Sequence, residues 1–140
     1  MSELVIRTRT TPPATLVTLV GDLDTLHAAE LRGHLRAVPA GDLVLDVSGV
    51  RFLDAAGLTV LVELHARLER ADARLVLVGV PRRVRRVIAI TGVDQVLLAS
   101  PTADDAVALL LDTRQPSKPW HHSIGDGSRR PTVRTARPAQ

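Results

Sequence analysis

Four aspartates, Asp22, Asp24, Asp46 and Asp54, stand at the ends of apolar runs or in the loops that follow them. In α/β proteins that is where sites are built, and clustered carboxylates there could hold Mg²⁺ and accept a phosphoryl group. That chemistry also wants a lysine beside the acyl phosphate, and the chain's one lysine, Lys118, lies far along in a segment of different composition. Helix capping is the simpler use of these carboxylates. The stretch Val50-Arg51-Phe52-Leu53-Asp54-Ala55-Ala56-Gly57-Leu58-Thr59-Val60-Leu61-Val62 makes the case. Asp54 can accept hydrogen bonds from the first free N–H groups of a helix, and Ala55, Ala56 and Gly57 give that helix start almost no side-chain bulk. A bare helix start is suited to receiving a partner.

Other reactive constellations are missing from the sequence. The absence of cysteine excludes disulfides, thiolate zinc sites and cysteine nucleophiles. His27, His34 and His65 fall on helical segments without a second ligand at i, i+4, which reads as surface histidine and not as a metal site. No nucleophile elbow and no lysine-bearing phosphate loop occurs. No enzyme activity, no cofactor and no metal are expected. Arg82, Arg83, Arg85 and Arg86 make a cationic helix edge, read as a solvated face, with contact to an acidic partner surface as the sharper alternative.

The elements that would position the Asp54 turn follow from periodicity. Leu4-Val5-Ile6 and Thr15 to Val20 are β-type runs flanking the breaker Thr10-Thr11-Pro12-Pro13, and read as an antiparallel pair. A helix from Thr25, capped by Asp24 or Thr25, places Ala28, Leu31, Leu35 and Val38 on one stripe. Leu43 to Val47 is a run of the kind buried on both faces of a sheet, hence a middle strand. The second helix runs from Asp54 to about Arg70, with Gly57, Val60, Leu61, Leu64, Leu68 and Ala71 facing the sheet. At the helical repeat Leu58 and Val62 lie about 110° and 150° from that stripe's centre and form an expected exposed apolar seam. Leu75 to Gly79 is a buried strand, Pro81 opens a third helix burying Val84, Val87 and Ile88, and Val96 to Leu98 is a last strand. Thr102 with Asp105 begins a fourth helix. The fold class is α/β, a mixed central sheet of about five strands with about four helices in the order ββαβαβαβα.

Residues 1–113 form one domain, and residues 114–140, rich in proline, serine and arginine, read as a disordered basic tail. The net charge of +3 belongs to that tail: residues 1–113 hold twelve arginines against fourteen carboxylates, and residues 114–140 hold six basic residues against Asp126. The body contains one aromatic residue, Phe52, the other being Trp120, so it lacks the basic, aromatic face of a nucleic-acid binder. No apolar run reaches the roughly 20 residues that span a bilayer, and Met1-Ser2-Glu3 leads into strand without a signal segment. No membrane and no specific nucleic-acid partner is expected, and the expected location is cytoplasmic.

Three stretches resemble the STAS domain family, and within it the stand-alone anti-sigma factor antagonists: Val20-Gly21-Asp22-Leu23-Asp24, Leu45-Asp46-Val47-Ser48-Gly49-Val50, and Phe52-Leu53-Asp54-Ala55-Ala56-Gly57-Leu58. The resemblance covers about residues 3 to 112. It implies a module without catalysis that binds an anti-sigma factor, often a serine kinase, so that a sigma factor is freed for transcription. It also implies that the residue before the turn glycine is the position where such a kinase phosphorylates serine or threonine. Here that phospho-acceptor-equivalent position is Ala56, which has no hydroxyl. A phosphate would bring about −1.5 to −2 charges to a helix N-terminus, and this chain cannot install them at Ala56. Thr59, one turn into the helix, is expected to bond the preceding turn instead.

The expected partner-binding residues are therefore Asp24, Asp54, Ala55, Ala56, Gly57, Leu58, Thr59 and Val62. A weak homodimer is left open. Two alternatives stand beside this reading. One is a receiver-like phosphoacceptor domain using the clustered aspartates, and the other is a STAS scaffold subunit of a larger sensory or transport assembly.

Overall fold

The computed structural model describes residues 3–112, so the basic segment 114–140 and its expected disorder lie outside the described residues. Ten elements follow one another: β1 (Leu4–Thr11), β2 (Ala14–Leu23), α1 (Thr25–Arg36), β3 (Leu43–Leu53), α2 (Ala55–Arg70), β4 (Leu75–Val78), α3 (Arg82–Thr91), a 3₁₀ turn (Val93–Gln95), β5 (Leu98–Ser100) and α4 (Ala103–Leu111). The five strands make one sheet in the order β1-β2-β3-β4-β5. β1 and β2 pair antiparallel around the Pro12-Pro13 turn, and all later neighbours are parallel. The expected order ββαβαβαβα and the central position of β3 hold.

Each parallel crossover carries a helix, and alternation along the strands divides the core between the two sheet faces. Leu43, Leu45, Leu75, Leu77, Leu97 and Ala99 join α1, α2 and α3 in the larger cluster. Val44, Val76, Val78 and Leu98 point the other way, onto Ala106 and Leu110 of α4. β4 is buried throughout for that reason, and each such leucine contributes about 1.5–3 kcal/mol by leaving water. Arg74, at the start of β4, donates from Nη2 to the Leu110 carbonyl at 2.7 Å and so ties α4 back to the sheet.

Several boundaries differ from the sequence reading. β3 is one strand from the Leu43 run through to Leu53 at the Asp54 turn, because register shifts against β2 absorb the polar Ser48-Gly49 step that separates the two apolar runs. The last strand is Leu98–Ser100, not Val96 to Leu98: the 3₁₀ turn occupies the chain before it, and Val96 is exposed. Ala71 is the exposed C-cap residue of α2 and not part of its buried stripe. Val87 is only partly buried. Gly21 explains one residue of the Val20-Gly21-Asp22 stretch: its φ of +126° and the carbonyl of Glu3 packed against it leave no room for a side chain.

Candidate functional site

The site is built by register. β2 and β3 are parallel neighbours paired to their last residues, Leu23 opposite Leu53. Each strand is followed by a single aspartate and then a helix, so Asp24 and Asp54 occupy equivalent places at the carboxyl edge of the sheet, at the starts of α1 and α2. Asp24 caps α1, its Oδ1 accepting from the His27 N–H at 3.2 Å and lying 2.6 Å from His27 Nδ1. Asp54 does more. Its Oδ1 accepts from the Gly57 N–H at 3.0 Å, the expected cap of α2. Its Oδ2 accepts from both the backbone N–H and the hydroxyl of Thr25, at 3.0 and 3.1 Å. One carboxylate thus clamps two helix starts together.

The electrostatics follow from those bonds. Partial desolvation is the largest single influence on Asp54 and pushes its pKa up. The backbone N–H groups of Gly57, Thr25 and Ala56 and the Thr25 hydroxyl together outweigh it, leaving the carboxyl below its ordinary 3.8. The group is ionised at neutral pH and occupied in holding the turn. Thr59 donates its hydroxyl to the Ala55 carbonyl at 2.8 Å, the back-bond expected of it.

The eight expected contact residues do not share one surface. Ala55 and Thr59 are exposed, and Asp24, Asp54, Ala56 and Val62 are partly so. Gly57 and Leu58 are buried. Gly57 faces inward: a Cβ there would overlap the Leu23 carbonyl oxygen and come within 2.9 Å of the Leu23 carbonyl carbon. Leu58, expected in an exposed seam with Val62, is 8% exposed and joins the larger core cluster. At 100° per residue the buried arc of α2 spans about 160°, from Val60 round to Leu58, wider than a stripe resting on a flat sheet. The most exposed apolar residue beside the turn is instead Leu26, in the first turn of α1 and 82% exposed. Its signal was present in the sequence, since Leu26 falls opposite the Ala28, Leu31 and Leu35 stripe.

The aspartates do not converge on one point. Asp46 Oδ1 accepts from the N–H and hydroxyl of Ser48 at 2.9 and 2.7 Å, and Asp22 lies 3.7 Å from Arg51. Among the described residues no group of three or more histidine, aspartate or glutamate side chains is placed to hold a metal ion. None of their helices is long and apolar enough to cross a membrane. The arrangement can present a surface to a partner, and of its carboxylates Asp24 and Asp54 serve as caps.

Residues 6–99 match the family described as Mlab, STAS domain. The fold is similar to the crystal structure of an anti-sigma factor antagonist from Mycobacterium paratuberculosis, at 28% identity and a TM-score of 0.72, covering 79% of this chain and 96% of that one. It is similar to the Bacillus cell fate determinant SpoIIAA in its phosphorylated form, at 16% identity and a TM-score of 0.57, over 75% of this chain and 98% of the other. A murine Solute Carrier 26 family anion transporter in the inward-facing state contains a matching region, at 24% identity and a TM-score of 0.64; 73% of this chain is covered but 18% of the transporter.

Proposed function

As the chain belongs to the STAS domain family, we propose that it acts as an anti-sigma factor antagonist: a binding module without catalysis that sequesters an anti-sigma factor of the serine-kinase type and so frees a sigma factor. The observation that carries this reading is the Asp54 clamp, which fixes the starts of α1 and α2 side by side with Leu26, Ala55, Ala56 and Thr59 around it. Likeness over nearly the whole length of an anti-sigma factor antagonist at 28% identity supports the partner class. Ala56 stands where the family resemblance puts the phospho-acceptor, so the complex is constitutive at this turn and governed by synthesis or by competition among antagonists.

Recovering partners from cells with a tagged full-length chain tests the reading. An anti-sigma factor with a kinase domain is expected, and binding should fall at least tenfold for Leu26→Glu with an unchanged melting temperature. Recovery of a transporter or sensor assembly alone would transfer the function to the scaffold alternative. Incubation with the recovered kinase and ATP, followed by mass spectrometry, should leave residues 54–59 unmodified. Stoichiometric phosphate there would end the constitutive reading.

A further inference from the structure

We propose that the groove between α1 and α2 is an oxyanion site that takes the carboxylates of an acidic peptide segment of a protein partner. The groove has a volume of about 180 Å³ and is lined by Arg32 and Arg36 of α1 and by Glu63, Arg67 and Arg70 of α2, with Leu35 and Leu64 at its base. Four guanidinium groups meet one carboxylate there, in a body whose carboxylates outnumber its arginines fourteen to twelve. The concentration is local and tertiary, since neither helix alone carries it.

The groove already displays the recognition it would offer. Arg32 Nε donates to Glu63 Oε1 at 2.8 Å, with Nη2 at 3.5 Å from Oε2, a side-on guanidinium–carboxylate pair. That hydrogen bond is the largest influence on Glu63 and, with the positive charge of Arg32 and Arg36, holds its pKa below the ordinary value against some desolvation. Arg67 is engaged with the Leu35 carbonyl at 3.3 Å, where it caps the end of α1. Neither Arg36 nor Arg70 forms a hydrogen bond or salt bridge with a described residue, so two guanidinium groups remain available beside the pair that Glu63 satisfies.

Size selects the ligand class. At about 180 Å³ the groove is well under the roughly 300–1,000 Å³ of sites for drug-sized molecules. That space fits one or two carboxylate or phosphate groups. An open groove with guanidinium groups spaced along two helices fits successive acidic side chains of a chain better than one compact ion. The partner's being a protein rests on the proposed function, but the probe below examines the groove alone. Its failure would leave the Asp54 turn reading standing.

The experiment is an NMR titration of the full-length ¹⁵N-labelled protein with hexaglutamate and, separately, with inorganic phosphate. Hexaglutamate is expected to shift amides in residues 32–37 and 63–71, with affinity falling as salt shortens the Debye length below about 8 Å. Arg36→Ala with Arg70→Ala should weaken it at least tenfold at unchanged melting temperature. Arg82→Ala with Arg83→Ala and Arg86→Ala, exposed on α3, should leave it unchanged. The proposal is overturned if the shifts lie only on α3 or in residues 114–140, if the groove variant binds as the wild type does, or if phosphate alone binds.

Discussion

Asp54 carries more than a capping aspartate ordinarily does, because its second oxygen holds Thr25. Replacing it with asparagine leaves one acceptor atom: with the amide oxygen kept on the Gly57 N–H, the amide nitrogen, a donor, faces the two Thr25 donors. Caps and charge-assisted bonds of this kind are worth about 1–2 kcal/mol, so Asp54→Asn should lower stability by about that much at pH 7. The folded-state pKa lies below the unfolded one, so this contribution is complete above the unfolded value and is withdrawn as pH falls through the folded one. Urea melts should therefore show the gap between wild type and variant closing between about pH 5 and about pH 2. A gap constant across that range would mean that the carboxylate's charge is not what stabilises the turn. The capping half of this geometry was legible in the spacing Asp54 to Gly57. The Thr25 half was not, because it depends on β2 and β3 ending side by side, a fact of sheet register that no local window contains.

At the scale of the element, α2 has an inward face that its sequence only partly declares. Val60, Leu61, Leu64 and Leu68 repeat at helical spacing, which alone predicts a core face, and the structure buries all four. Leu58 escaped because a helical wheel assumes one flat neighbour, whereas the buried arc of α2 is wider than that and takes in Leu58. Leu58→Ala should thus act as a core truncation, costing about 2–5 kcal/mol in denaturant unfolding. An unchanged midpoint would return Leu58 to the surface. The sequence places Gly57 both on the sheet-facing stripe and among the small residues of the bare turn, and the lack of bulk is needed toward Leu23 of β2. Gly57→Ala should drive the start of α2 off the sheet and cost about 1–3 kcal/mol as overpacking, despite alanine's better helix propensity. A stabilised Gly57→Ala protein would show that the helix start can shift without loss.

For the whole molecule, the sheet faces are unequally covered. α1, α2 and α3 roof one face, while α4 packs against β3, β4 and β5 on the other, leaving Val5, Val20 and Phe52 at 37%, 48% and 48% exposure. The order of elements was legible because each crossover in a parallel sheet needs a helix, and the chain supplies apolar runs and amphipathic segments in alternation. The division of the core between faces was not, since it depends on which helices share a side. Among the described residues, both apolar clusters draw their buried members from residues 4–110. Deleting residues 114–140 should change the melting temperature by less than about 4 °C, below the roughly 4–8 °C that 1 kcal/mol produces in a domain near this size. The deletion also changes sign of charge, because the remaining body carries two more carboxylates than arginines. Calorimetry on both forms at the same ionic strength separates the two effects. A fall well beyond that limit, persisting at high salt where charge is screened, would mean that apolar groups of the segment cover part of the sheet, and would move the domain boundary past residue 113.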